Sequence, residues 1–259
     1  MTNMQNGKQN RIISVCAGLK GSGKTWLTAA LAQAMGIKGY KVLFFDADGG
    51  AENIAYQFGL KHTDTFSKLL KGYVTLNNAS VFLNKNKFEL IYANPHEKMM
   101  SSYPVGRAQI LALDMQNLAA KYDGIMIDCL SDNATLKNTL VSISTDVVLL
   151  VTPSASGLAK AYAELEMIEK IAPHARIFVV VNHALSSSQG EHTFQTLLDA
   201  SQKFMQRKIV LLGVLCQDGR IRDCVLNKTT LFERYPVCES IEAVISMAAN
   251  LMKGEKEDV

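Results

Sequence analysis

The sequence predicts an α/β fold in which a mostly parallel central sheet of seven or eight strands lies between two layers of helices. Short apolar runs rich in β-branched residues alternate along the chain with longer stretches of helical period, as in sheets whose parallel strands are joined by helices. Most of these runs contain no alternating polar residues, which is typical of strands buried on both faces. The predicted strands are residues 12–17, 42–46, 88–93, 124–128, 147–152, 177–182 and 209–215.

The stretches between the strands predict amphipathic helices. Leu27, Leu31 and Met35 recur at i, i+4 and i+8, so this helix turns an apolar stripe toward the sheet, and a second stripe begins at Ala161 and Leu165. The segment 61–102 is the least regular part of the chain. There we predict a short helix at 66–70, followed by a strand and a loop.

A single domain is predicted over residues 11–252, preceded by a flexible segment at 1–10 and followed by a charged tail at 253–259. No repeat of 20–50 residues and no linker rich in Gly, Pro or Ser divides the chain. The 259 residues are 48% hydrophobic and 20% charged, which excludes a disordered chain, a collagenous repeat and a disulfide scaffold.

The composition also limits where the protein works and what it binds. No apolar run approaches the ~20 residues of a membrane-spanning helix, and the polar amino terminus lacks a secretory signal, so we expect a cytoplasmic protein. Five cysteines without a CxxC pair indicate small buried side chains, and the five scattered histidines argue against a zinc site. A net charge of +3 does not demand a polyanionic partner.

A phosphate-binding loop (P-loop) follows the first predicted strand. The sequence GLKGSGKT, residues 18–25, satisfies G-x-x-x-x-G-K-[ST] and leads into a helix. Glycines let backbone N–H groups converge on phosphate oxygens, Lys24 supplies a charge to the β- and γ-phosphates, and the Thr25 hydroxyl suits Mg²⁺. The alternative is an ordinary glycine-rich turn between a strand and a helix. The predicted nucleotide-binding residues of this segment are Gly18, Lys20, Gly21, Ser22, Gly23, Lys24, Thr25 and Trp26.

Carboxylates follow two further strands, in DADGGAEN (residues 46–53) and IMIDCLSDN (residues 125–133). Parallel strands end at one edge of the sheet, so Asp46 and Asp128 are expected near the P-loop. A buried carboxylate without a cation is costly, so a role as Mg²⁺ partners is favoured over a structural role for both residues. Asp48 faces the same side as Asp46 and could orient or deprotonate an attacking water. On position alone, an Asx turn or a helix cap before Glu52 explains Asp48 equally well.

These motifs resemble the MinD/ParA group of P-loop ATPases, and most closely its flagellar FlhG/FleN branch. The resemblance runs from about Arg11 to Met252. Its more discriminating parts are VVVNHALSSSQGEHTF at 179–194 and the stretch 211–241, which contains LLGVLCQDGRI. The P-loop alone occurs in many families.

The resemblance implies a P-loop NTPase-type three-layer sandwich that binds ATP and Mg²⁺ and forms a face-to-face homodimer across two nucleotides. Asn182 matches the asparagine that reads adenine, and Asp218 lies in the stretch that closes over the base. Asp48 becomes the switch I residue that assists hydrolysis. With the residues above, the implied catalytic set is Lys24, Asp48 and Asp128, and the implied metal set is Thr25, Asp46 and Asp128.

Two departures from the family pattern predict slow turnover. The family loop reads GKGGxGKT, and its first lysine reaches into the other subunit, but here that position is Leu19; Lys20 is the nearest substitute. After Asp128 the family has a turn of small residues ending in Ala-Gly, whereas this chain has Cys129-Leu130-Ser131-Asp132. A stiffer loop with an added negative charge would sense the γ-phosphate less well.

Neither a membrane nor DNA is the favoured partner. The last predicted helix carries an apolar stripe, but the KGEKEDV tail that follows has a net charge of −1, which anionic lipid would repel, so we expect the stripe to pack on the sheet. Basic residues in the last third of the chain allow a nonspecific DNA contact, which we do not favour over dispersed surface charge. These are Arg207, Lys208, Arg220, Arg222 and Lys228.

We therefore expect a regulatory ATPase whose ATP-bound dimer controls flagellar number or placement through a protein partner, a flagellar regulator or assembly factor that could recruit it to a cell pole. One alternative is a nucleotide-locked protein-binding module with negligible turnover. The other is an ATPase that partitions chromosomes or cargo.

Overall fold

A computed structural model describes residues 10–47, 54–61, 65–92, 104–129 and 133–253, and in them it shows the predicted α/β fold. The described residues form one eight-stranded sheet in the order β3-β4-β2-β5-β1-β6-β7-β8, in which only β3 runs antiparallel to its neighbour. Its strands are β1 (Arg11–Ala17), β2 (Val42–Asp46), β3 (Val81–Leu83), β4 (Phe88–Tyr92), β5 (Gly124–Asp128), β6 (Asp146–Val151), β7 (Arg176–Ala184) and β8 (Val210–Cys216).

Helices cover both faces of this sheet. One face packs against α4 to α7, and the other against α1 and α10, so each face has its own apolar core. The helices are α1 (Lys24–Ile37), α2 (Ile54–Gln57), α3 (Thr65–Lys71), α4 (Val105–Ala119), α5 (Ala134–Ser142), α6 (Ala155–Ile171), α7 (Ser187–Met205), α8 (Gly219–Leu226), α9 (Leu231–Arg234) and α10 (Glu239–Met252).

The seven predicted strands are confirmed, with bounds that differ by no more than two residues, and the predicted helix at 66–70 is confirmed as α3. The eighth strand, β3, was not predicted. It has three residues at the edge of the sheet, and Val81 and Phe82 are exposed, so it lacks the buried apolar run that identifies the others.

The carboxyl-terminal helix packs on the domain, as predicted. Val244, Met247, Ala248 and Leu251 of α10 are buried in the core that α1 and the sheet form. No helix in the described part of the chain is long and apolar enough to cross a bilayer.

The sheet brings the ends of β1, β2 and β5 together, as predicted. Asp128 pairs in register with Asp46 on one side and with Val15 on the other. The connection after β1 leads to β2 on one side of β1, and the connection after β5 leads to β6 on the other side. The strand order therefore reverses beside the loop after β1, which is the usual place for a ligand in such sheets.

Candidate functional site

The loop between β1 and α1 has a backbone that only glycine accommodates at three positions. Gly21 and Gly23 have φ of +77° and +89°, in the left-handed region. A Cβ at Gly18 would lie 2.3 Å from the carbonyl oxygen of Lys160 in α6. The glycines of the motif are thus required by turn geometry and by a close approach to α6.

This loop presents unsatisfied donors of the kind that bind an anion. Ser22 is 3% exposed, and its Oγ has no hydrogen-bond partner among the described residues. No side chain caps the start of α1. Since the first N–H groups of a helix carry a partial positive charge, the loop, Ser22 and Lys24 fit a phosphate group.

Asp128 joins the two residues that open α1. Its Oδ1 accepts a hydrogen bond from Lys24 Nζ at 2.5 Å, and its Oδ2 accepts one from the Thr25 hydroxyl at 2.5 Å. Asp128 is 0% exposed and Lys24 is 8% exposed, so the carboxylate and the ammonium form a buried ion pair. The Thr25 hydroxyl and the Asp128 carboxylate provide oxygen ligands that suit Mg²⁺.

The second predicted carboxylate, Asp46, lies directly across from Asp128 on the neighbouring strand and is also fully buried. Its Oδ2 accepts a hydrogen bond from the backbone N–H of Ile54 at 3.2 Å, which ties the start of α2 to the end of β2. Asp48 and Asp132 lie outside the described residues. The structure therefore brings Asp46, Asp128, Lys24 and Thr25 to one edge of the sheet.

Asn182, near the end of β7, braces the P-loop. Its side-chain Nδ2 donates to the backbone oxygen of Ser22 at 2.7 Å, and its Oδ1 accepts from the backbone N–H of His183 at 2.9 Å. Sequence reasoning missed this brace, because no pattern shows which carbonyl a side chain reaches. The adenine contact of Asn182 remains a prediction.

Asp218 lies at the start of α8, three strands away from β1. It caps α8 through the backbone N–H of Arg220 at 3.0 Å and accepts a hydrogen bond from the Ser240 hydroxyl at 2.6 Å. Burial raises the pKa of the Asp218 carboxyl, but the hydrogen bonds from Arg220 and Ser240 outweigh burial and hold the pKa below its ordinary value. Asp218 thus fixes α8 against α10.

Two other predicted nucleotide contacts differ in their surroundings. Lys20 is exposed at the tip of the P-loop. Trp26 is half-buried, and its ring packs against the small core of α8, α9 and α10, which includes Cys224 and Leu231. The structure therefore gives Trp26 a packing role, while its contact with a nucleotide remains a prediction.

Four of the five cysteines are buried as predicted, namely Cys16, Cys129, Cys224 and Cys238, whereas Cys216 is only partly buried and differs from the prediction. Cys16 follows Val15, the register partner of Asp128, and Cys129 follows Asp128 itself. A hydrogen bond to Cys129, together with burial, raises the pKa of the Cys16 thiol. Cys16 therefore stays a neutral thiol in the apolar core.

Comparisons with known proteins show which family and fold this chain shares. A family model described as an AAA domain matches residues 10–181. The antiactivator FleN of Pseudomonas aeruginosa is 23% identical over 227 residues, which cover 87% of this chain and 80% of FleN. The flagellum site-determining protein YlxH of Helicobacter pylori is 25% identical over 227 residues, which cover 87% of this chain and 76% of YlxH.

A similar fold occurs among solved structures. MinD of Pyrococcus horikoshii, solved as a complex with Mg-ADP, has a TM-score of 0.77 and 24% identity, and the match covers 93% of this chain and 95% of that one. This likeness shows a shared fold. The residues that the family model matches include the P-loop at 18–25 and Asp128.

Proposed function

Because this chain belongs to the AAA domain family, as a MinD/ParA-type P-loop ATPase close to the FlhG/FleN branch, we propose that it is an ATP-dependent switch controlling flagellar number or placement. ATPase activity and the binding of nucleotide and Mg²⁺ belong to this family in general. The flagellar role is supported by two relatives, one described as an antiactivator and the other as a flagellum site-determining protein.

The observation that carries the proposal is the pairing of Asp128 with Lys24 and Thr25, the last two residues of the P-loop. In this proposal, Lys24 and the loop N–H groups would bind the phosphates, and the Thr25 hydroxyl together with the Asp128 and Asp46 carboxylates would hold Mg²⁺. Asp48 orients the attacking water. Mg²⁺, when bound with ATP, neutralises charge on the phosphate oxygens.

Slow turnover is part of the proposal. Leu19 cannot supply the charge that the family's first lysine places on the neighbouring subunit's phosphates, and the segment after Asp128 lacks the Ala-Gly turn. Removing a charge that stabilises a transferring phosphoryl group costs on the order of 10²–10⁵ in rate. A protein partner that restores this charge would stimulate hydrolysis and could place the switch at a cell pole.

The test is a single-turnover and steady-state ATPase measurement on the full chain. We expect wild-type kcat below the ordinary range of about 1–10³ s⁻¹. Asp48→Ala should retain ATP binding and lose the remaining turnover, because the proposed role of Asp48 is in orienting water. A basal kcat within the ordinary range would contradict slow turnover. Undiminished turnover in Asp48→Ala would show that Asp48 has no role in hydrolysis.

The same two departures favour a second function, a nucleotide-locked module that binds protein partners without turning over. The two functions differ in one measurement. A switch releases phosphate in a single turnover, whereas a locked module returns intact ATP after incubation for several hours.

A further inference from the structure

One residue of β7 adopts a backbone conformation that strands do not contain. His183 has φ of +61°, and it is one of four described non-glycine residues with positive φ. The other three, Lys87, Gln206 and Lys228, lie in a turn or directly after a helix, where left-handed residues are common. His183 alone of these four lies inside a strand.

Contacts on both sides hold this conformation. Before it, Asn182 Oδ1 accepts a hydrogen bond from the His183 N–H, while Asn182 Nδ2 is bonded to Ser22. After it, Ala184 returns to the register of β8 opposite Cys216, beyond an irregularity that begins at Val181. Irregular strand pairs and non-glycine residues with positive φ persist where the surrounding structure compels them, and they concentrate at functional sites.

The conformation brings the imidazole over the start of α1. A Cβ built on Gly23 would lie 3.9 Å from His183 Nε2, so the ring stands beside the last glycine of the P-loop. The ring is exposed, and it makes no hydrogen bond or ion pair with any residue that the structure describes. It therefore adds an unused polar group beside the uncapped start of α1, next to Gly23, and the neighbouring Ser22 has a buried Oγ that also lacks a partner among the described residues.

We propose that His183 is a further nucleotide contact, in which Nε2 donates a hydrogen bond to a phosphate oxygen of the nucleotide bound by the P-loop. Both the Nε2–H tautomer and the imidazolium can donate from this atom. A phosphate is the expected acceptor, because the neighbouring N–H groups of α1 attract an anion. This inference rests on the proposed function, since it needs a nucleotide in the P-loop.

Two variants separate a binding role from a structural one. His183→Asn keeps a residue that tolerates positive φ but removes the ring, and His183→Gly removes the strain as well. The matched control is His192→Asn, which changes an exposed histidine on α7. Calorimetry would measure the affinity of each full-length protein for ADP, for a non-hydrolysable ATP analogue and for adenosine, and thermal unfolding would report the Tm without nucleotide.

We expect both His183 variants to bind ADP and the analogue about 10-fold to 100-fold more weakly, the range for a hydrogen bond to a charged group. The Tm of nucleotide-free His183→Gly should be unchanged or higher, and His192→Asn should bind like wild type. Wild-type affinity in both His183 variants would overturn the inference. If the His183 variants lost as much affinity for adenosine as for ADP, the assignment of a phosphate contact would be overturned, because adenosine has no phosphate. If wild type itself binds no nucleotide, the proposed function fails along with the inference.

Discussion

Asp128 is fully buried, and its two carboxylate oxygens accept hydrogen bonds from the ammonium of Lys24 and from the hydroxyl of Thr25. A buried charge is stable only when it is paired, so Lys24 contributes to folding as well as to the proposed phosphate binding. The contributions of Lys24 to folding and to phosphate binding can be separated, because the Lys24 ammonium and the Asp128 carboxylate can be removed one at a time or together.

At this residue scale, we expect Lys24→Met to lower the free energy of unfolding by about 3–5 kcal/mol, since Asp128 loses the ammonium with which it pairs. The double variant Lys24→Met/Asp128→Asn should recover most of that loss, because it also removes the Asp128 charge that the single variant leaves without its ammonium. Neither protein should bind ATP. Urea denaturation measures the stabilities, and equal destabilisation of the single and double variants would contradict this account of the pair.

At the scale of elements, α8 is joined to α10 by Asp218, which caps one helix and accepts a hydrogen bond from Ser240 of the other. The side chain thus stabilises the last third of the domain independently of any ligand. Its lowered pKa gives this contribution a definite pH dependence.

We expect Asp218→Ala to lower the free energy of unfolding by about 1 kcal/mol at pH 7, and Asp218→Asn by less, because Asn still caps a helix. Folding lowers the pKa of Asp218, so the charged carboxylate stabilises the folded protein. This stabilisation is complete at any pH above the ordinary pKa of about 3.9, and it is lost as the pH falls through the lower pKa that Asp218 has in the folded protein.

The deficit of Asp218→Asn relative to wild type should therefore stay constant in urea denaturation from pH 7 to about pH 5, and it should shrink as the pH is lowered below about 3.9. Asp199→Asn, which changes an exposed carboxylate of α7, is the control. A deficit that grows as the pH falls would have the wrong sign for a lowered pKa.

The elements also show what could be predicted from the sequence. Buried parallel strands contain uninterrupted apolar runs, so β1, β2 and β5 could be located, and with them the meeting of Lys24, Asp46 and Asp128 at one edge. The edge strand β3 lacks such a run. The brace from Asn182 to the Ser22 carbonyl and the conformation of His183 depend on contacts between distant parts of the chain, which periodicity and spacing do not encode.

At the scale of the whole molecule, α10 turns its apolar stripe inward, where Ile241, Val244 and Leu251 are buried. That stripe is not available to lipid. In co-sedimentation with anionic liposomes and Mg-ATP, we expect the full chain to remain in the supernatant. Nucleotide-dependent pelleting would show that another surface binds the membrane.

The proposed switch also requires a change of assembly. We expect the wild-type protein to become a dimer with Mg-ATP and to remain a monomer with Mg-ADP, because the resemblance places two nucleotides between two subunits. Light scattering coupled to size exclusion measures both states, with Lys24→Met as the variant that should stay monomeric. A monomer in saturating Mg-ATP would contradict dimerisation.

The most direct test of the account is a calorimetric titration of Mg-ATP into the wild-type chain. The loop at residues 18–25, together with Asp128, predicts saturable binding at one site per chain, with a dissociation constant below ~1 mM. It also predicts weaker binding when EDTA removes Mg²⁺. Absence of any heat of binding for ATP and ADP at millimolar concentration would contradict the nucleotide site and the functions derived from it.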